Sequence, residues 1–414
     1  MPVRLDRVPA PSPRPARPRG WLWLGGLPLL LSLLGVCGAF LLGTQSLREQ
    51  PLSFWGLALG LPLLGWCLLS VGRVLLYLGQ QQVADGWDKA REDDLMRKVR
   101  RGRRVQQVLG VSLHTALREP GASPATQLEC LRNEVQALAA QPSLQGQAVS
   151  RHTRIAGDAD ENPGQALLML LKQVLADLEP TLKQLPDDTP LALLLEVDSA
   201  LQENVWKDLW RQAWSQSGIR QATVPVVGSG LDALDQWLDQ RIGDEASLLV
   251  VALRFAPQQP EGKAEAAVGL LLGNRLTQTA LPPIAYLHRP EQERTPTAEA
   301  LLYAARQALD WAQIDAQLVE HTWRVGVDPQ REEALTKTLD GVSLAAQHKQ
   351  GFYNLDAALG HPGKASPWVA IAAATQGIHS GAGPQFILSG SGCLDAGLWS
   401  TVVTPVPSHS KQEL

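Results

Sequence analysis

Two long apolar runs dominate the hydrophobic–polar pattern, Trp21 to Gly43 and Leu52 to Gly72, and neither contains a charged residue. A bilayer core of roughly 30 Å is crossed by about 20 apolar helical residues, so each run is long enough to span. A helix satisfies its own backbone hydrogen bonds, which lets Pro28, Pro62 and the interior glycines stay within the runs. Trp21, Trp23 and Tyr77 sit near the run ends, where amphipathic rings favour the interface. A signal peptide followed by a core helix fits less well, because a signal has a shorter apolar segment and a small-residue cleavage site. Two buried helices of a soluble domain fit less well again, because such helices keep a polar stripe. The pattern predicts a transmembrane helical hairpin over residues 21–78.

Beyond it the pattern changes twice. Residues 79–104 mix charges densely and predict a basic juxtamembrane helix. Val105 to Leu117 (VQQVLGVSLHTAL) has apolar residues at both helix and strand periods, so its type stays open. Gln127 to Ala140 has helical spacing, Pro142 to Pro163 reads as a loop, and Gln165 to Leu185 reads as a helix stopped or kinked at Pro180. Residues 105–189 are therefore expected to form a helical linker region. From Pro190 strands and helices alternate. Strands are predicted at 191–197, 222–227, 246–255, 264–272, 317–327, 384–390 and 398–403. Helices are predicted at 201–215, 231–242, 297–312, 329–339 and 366–378. Such alternation gives an α/β domain, here over 190–405, whose apolar strands are buried on both faces. Residues 1–20, rich in Pro and Arg, and residues 406–414 are expected to be disordered tails.

Charge sets the orientation. Arg4, Arg7, Arg14, Arg17 and Arg19 precede the first run against a single acid, Asp6. After the second run come Arg73, Lys89, Arg91 and the block Arg97, Lys98, Arg100, Arg101, Arg103 and Arg104. Basic residues near span ends stay cytoplasmic, so both termini and the α/β domain are expected inside a bacterial inner membrane, with the basic block against anionic lipid. The net charge of −4 and pI of about 6.1 argue against a nucleic-acid partner. Cys37 and Cys67 lie in the runs, leaving Cys130 and Cys393, which is no disulfide framework. Thirteen tryptophans is a high count, and an exposed cluster of them would mark a partner surface.

Three local patterns carry a resemblance. EGKAEAAVGLLL (261–272) is similar to the GEGAGVLVL segment of the ketosynthase and thiolase-like family. VEHTWRVGVDPQREEAL (319–335) is similar to its EAHGTGTxxGDPxEAxAL segment, with His321 on the first family histidine. DAALGHPGKASPWVAIAAA (356–374) resembles KSNIGHxxGAAGxAGLIKA, with His361 on the second. Residues 228–253 are similar to the helix and strand after the nucleophile, and FILSGSG (386–392) to the glycine-rich turn before the last strands. The resemblance covers residues 190–405 and implies a thiolase-like α/β domain corresponding to the C-terminal half of the family, with the first half missing or shrunken. The departures are as informative. Val226 to Gly230 offers no cysteine where the family's nucleophile opens a buried helix, and Ser229 is the sole hydroxyl there. Asp356 replaces the family lysine, and Trp323 and Arg324 stand where the family keeps space for substrate.

Ser229, His321 and His361 are thus vestigial candidates rather than an expected catalytic set. Ser229 lacks an activating base in sequence and fails the G-x-S-x-G test. The histidines show no metal-ligand spacing and no phosphate loop is present, so no metal and no cofactor are expected. The implied function is a membrane-anchored adaptor or chaperone built on a catalytically dead thiolase-like domain. Its partner would be a protein such as a secreted effector or secretion component of a type VI system, and a homodimer through a sheet edge is consistent with the resemblance. The alternative is an acyl-thioester enzyme using His321 and His361 without a covalent step. An adaptor predicts an exposed apolar or Trp-rich patch and no deep pocket; an enzyme predicts a tunnel ending between the two histidines.

Overall fold

The computed structural model describes residues 3–42, 51–142, 149–155, 162–345, 351–392 and 396–407. Cys393, parts of the 142–163 loop and most of the 406–414 tail lie outside the described residues. The chain divides into two compact units, Arg4–Lys98 and Val99–Leu414.

In the first unit, a π-helical turn at Leu22–Gly26 leads into α1 (Leu27–Leu42). Helix α2 (Pro51–Trp55) passes through a second π turn, Gly56–Gly60, into α3 (Leu61–Gly102). Both helical stretches are long and apolar enough to cross a membrane, and little of either is buried inside the protein. They meet where Gly35 lies directly against the Ala58 carbonyl and the Pro62 ring, an approach that any Cβ would block. Ala39, Phe54 and Ala58 are buried at this crossing, and Trp66 Nε1 donates to the Trp23 carbonyl at 2.6 Å. The tail expected to be disordered is instead tied down over Pro9–Arg14. Arg14 pairs with Asp85 and Asp88, Ser12 N–H donates to Asp88 at 2.9 Å, and Arg91 Nε donates to the Pro9 carbonyl at 2.7 Å. Five prolines between residues 9 and 18 pre-extend this strap and lower the cost of ordering it.

The second unit begins with the last turn of α3. Arg101 pairs with Asp239, Gly102 lies flat on the Trp311 ring, and Arg104 Nη1 donates to the carbonyls of Leu238 and Asp239 at 2.8 and 2.9 Å. These two arginines of the basic block are therefore engaged with protein. The elements that follow are β1 (Val105–Thr115), α4 (Pro124–Arg132), the hairpin β2 (Ala139–Gln141) and β3 (Ser150–His152), α5 (Pro163–Leu182), β4 (Leu191–Ser199), α6 (Glu203–Gln216), β5 (Thr223–Pro225) and α7 (Gly230–Gln240). Then come β6 (Ser247–Phe255), β7 (Ala266–Asn274), β8 (Ala285–His288), β9 (Glu291–Gln292), α8 (Ala298–Ala312), β10 (His321–Val325) and α9 (Glu332–Val342). The chain closes with β11 (Phe352–Asn354), α10 (Leu355–Leu359), α11 (Ser366–His379), β12 (Gln385–Ser389) and β13 (Trp399–Pro405).

One sheet runs β11-β10-β12-β13-β8-β1-β7-β6-β4-β5, with β9 on β13. It is two copies of one pattern. In the first half, β1 and β4 to β7 lie in the order third-second-fourth-fifth-first. Its second, third and fourth strands are parallel and its fifth antiparallel. In the second half, β8 and β10 to β13 repeat that order and those directions. The first strands of the two halves pair antiparallel, Val105–Val108 against His288–Ala285. The first half of the fold is therefore present. Its opening strand is β1, inside the segment expected to be a helical linker. Residues Val105–Leu109 carry apolar groups on both faces because the strand is covered on both sides, and that burial hides the period that would have identified it.

Strand alternation sorts the core into layers. Leu191, Leu193, Leu249, Val251 and Leu253 face α5 and α6. Ala192, Leu194, Leu248, Val250 and Ala252 face the opposite way, onto α7 and α11. Trp323, Val325, Ile387 and Val403 of the second half join that same central cluster, while Phe386, Leu388 and Val402 pack on α8 and α9. Helices α7 and α11 thus form the middle of five layers, and Ser366 to Ile378 of α11 are all buried. Polar caps start the outer helices: Asn162 accepts from Gly164 N–H at 2.8 Å before α5, and Thr297 from Ala300 N–H at 3.2 Å before α8. Pro180 neither stops nor displaces α5, which ends two residues later.

Gly269 of β7 sets the closest approach of α5 to the sheet. A Cβ there would lie 2.7 Å from Val174 and 2.8 Å from Leu178. Gly269→Ala is expected to destabilise the α/β unit by about 1–3 kcal/mol through overpacking, read as a lower urea midpoint in pulse proteolysis.

Candidate functional site

Parallel strands deliver their carboxyl ends to one edge, and turns there pass into the central helices. Glu196, near the end of β4, is the buried acid of that edge, 6% exposed. One of its oxygens accepts from the N–H of Gly230, the first residue of α7, and the other from Trp368 Nε1 of α11 at 2.7 Å. A single carboxylate thereby holds the starts of both central helices. The positive end of the α7 dipole already has its counter-charge from within the chain.

The turn after β10 meets the turn after β12 backbone to backbone. Gly326, at φ +67°, lies against Gly390, so closely that no side chain fits between them. Gly390 N–H donates to the Val325 carbonyl at 3.0 Å and Gly392 N–H to the Gly326 carbonyl at 2.8 Å. Asp356 accepts from the N–H groups of Gly326 and Val327 at 2.8 and 3.2 Å. Burial pushes this carboxyl up to about 6, against the pull of those two N–H groups.

His361 follows α10. Its Nδ1 accepts from Gly363 N–H at 2.9 Å, which places the neutral ring's proton on Nε2, and the ring fills the space that Gly392 leaves open. Its carbonyl is held by Ala264 N–H at 2.9 Å and by Arg254, which pairs with Asp198. Burial, then the nearby Lys263 and Arg254 charges, lower its pKa to about 4.

His321 is elsewhere. It opens β10, four residues before that strand's carboxyl end, which at about 3.3 Å per residue is ~13 Å away. Its Nδ1 lies 3.4 Å from Tyr353 Oη, and burial followed by the Arg132 charge lowers its pKa. His321 and His361 are thus at opposite ends of one strand. Ser229 is the N-cap of α7, yet its hydroxyl makes no capping bond. It opens onto a cleft of about 420 Å³ whose lining includes Glu196, Lys364, Ser389 and Trp399 and neither histidine. Among the described residues, no base is hydrogen-bonded to Ser229. Trp323 is fully buried, donating to Gln385 Oε1 at 2.6 Å and packed on Tyr353, and Arg324 pairs with Glu332. Adjacent on one strand, they point to opposite faces, Trp323 into the central layer and Arg324 towards α9.

No exposed tryptophan cluster occurs on the described part of this unit. Trp210, Trp237, Trp311, Trp323 and Trp368 are buried and the others half-buried. Glu196 was legible only as a lone acid in the apolar run LALLLEV. A charge inside such a run must find partners, and that is the signal that could have flagged it.

No protein-family model matches the sequence. No curated protein matches it. Among solved structures, the PfaC keto synthase–chain length factor superposes with a TM-score of 0.51 at 12% identity, over 73% of this chain and 43% of that one. The chain thus spans less than half the length of that protein. The ishigamide ketosynthase/chain length factor gives 0.49 at 14% identity, over 73% of this chain and 100% of that one. The α/β unit therefore has the thiolase-like fold of the ketosynthases.

Three outcomes follow for the site. Glu196→Ala leaves two buried donors unpaired and is expected to cost about 1–3 kcal/mol for each, while Glu196→Gln, which keeps one acceptor, recovers part of the loss in the same urea titration. A histidine held neutral stabilises the fold above its ordinary pKa of 6.5, and that contribution is lost as pH falls towards 4. His361→Gln is expected to remove up to about 3 kcal/mol of the stability change between pH 6.5 and 4. Asp356 slopes the other way, losing stability as pH rises from 3.8 to about 6.

Proposed function

We propose that this chain is a membrane-anchored adaptor or chaperone, its ketosynthase-like domain lying in the cytoplasm and carrying out no condensation chemistry. The observation that carries the reading is Glu196. The helix start that would need a free dipole and an ionised nucleophile is neutralised by the chain's own carboxylate. The absence of cysteine from Val226 to Gly230 and the distance of His321 from His361 support the same reading.

Anchoring in a bacterial inner membrane with both termini inside is supported by two apolar helices and by the arginines that flank them. The Pro9–Arg14 strap lies along residues 85–91, which puts the start of the chain at the same end of the hairpin as the end of its second helix. The partner class favoured by the sequence resemblance is a secreted effector or a component of a type VI secretion system. The domain would also be able to pair with a second copy.

The full chain, purified in detergent, is to be incubated with acetyl and malonyl thioesters. Expected are no acyl adduct by intact mass and no thiol or carbon dioxide release above background. In-cell crosslinking is expected to capture one stoichiometric protein partner, unchanged by His321→Ala with His361→Ala. An acyl adduct, or turnover lost in that double variant, would replace this reading with the acyl-thioester enzyme.

A further inference from the structure

The cleft at the start of α7 has a feature that the docking reading does not use. Ser389 is fully buried at its edge, and its hydroxyl has no hydrogen-bond partner among the described residues. Gln292, Lys364, Ser229 and Ser391 line the same cleft, and none of their side chains makes a hydrogen bond or ion pair among the described residues. A buried polar group is nearly always satisfied, and an unsatisfied one is costly, so the Ser389 hydroxyl marks a place where the partner comes from outside, with the exposed Ser229, Lys364 and Ser391 and the half-buried Gln292 beside it. The contrast with the cleft beside His114 is direct. There Asp177 accepts from Ser112 at 2.7 Å and Arg118 at 2.9 Å and sits 3.0 Å from His114, so the central groups are already paired with each other.

We propose that this cleft binds a neutral, hydroxyl-rich ligand of the sugar class. Its charges balance: Lys364 and Asp232 bring one charge of each sign to the lining, and the Glu196 carboxylate is spent on Gly230 and Trp368. That balance selects against both anions and cations. No histidine or cysteine is among its described lining residues, so these offer no soft ligand to a transition metal. Hydroxyl, amide and ammonium groups together offer donors and acceptors in all directions, which suits a ring of hydroxyls that both give and accept. Trp399, Pro367 and Leu231 form the apolar wall against which the C–H face of a sugar ring would rest. At about 420 Å³ the cleft lies within the range of small-molecule sites. This inference is independent of the adaptor reading: a sugar can bind whether or not a protein docks.

The test is saturation-transfer NMR on the full chain in a detergent without a sugar headgroup, with maltose and N,N′-diacetylchitobiose as probes at up to about 10 mM. Transfer to at least one probe is expected. It should weaken about tenfold or more in Gln292→Ala and in Ser389→Ala, with folding of each variant confirmed by far-UV circular dichroism. The proposal is overturned if neither probe receives transfer, or if transfer persists undiminished in both variants.

Discussion

The bridge from Glu196 to Gly230 and Trp368 is the constraint on which the rest of the α/β unit depends. Helices α7 and α11 form a layer with sheet on both sides, and the start of α11 is shut off from solvent. Each buried helix end carries unpaired N–H groups that must find an acceptor. One acid at the end of β4 serves the start of α7 directly and anchors α11 through its tryptophan. The position of the central layer relative to the first-half sheet follows from that one side chain.

Duplication of the half-sheet explains why the layer exists. Each half leaves one face of its strands for a central helix, and the halves share that layer through the antiparallel β1–β8 pairing. The parallel strands of both halves then end near the central helix starts, where loops are free to carry chemistry. Here that edge is closed in a particular way. Glycines bring the turns after β10 and β12 into contact, His361 fills the space over Gly392 as a neutral ring, and Asp356 holds the Gly326 turn. The polar cleft around Ser229 and Ser389 opens beside them. Among the described residues, the Ser389 hydroxyl and His361 Nε2 are buried there without a hydrogen-bond partner.

The sequence was most readable where one physical rule acts alone. The two apolar runs, the alternation after Pro190 and the strands from β4 to β7 obey simple length and period rules, and these elements lie within a few residues of where the pattern placed them. The strand β1 was ambiguous because burial on both faces erases the period. The Pro9–Arg14 strap was unreadable because composition describes an isolated tail, whereas Asp85, Asp88 and Arg91 supply its partners from far along the chain.

The site divides along the same line. The motif resemblance offered His321 and His361 as vestigial candidates, but a local motif carries no information about which end of the sheet a residue occupies. The structure puts His321 at the amino end of β10 and His361 beyond its carboxyl end. By itself the sequence determined what a residue's own chemistry dictates: apolar helices of membrane length, an α/β alternation, and the lack of a cysteine near Ser229. Only the tertiary structure decided that the half-sheet is duplicated, that Glu196 occupies the start of α7, and that Ser229 and the buried Ser389 share one cleft. Those are long-range juxtapositions, fixed by strand order and layer packing rather than by any local sequence preference.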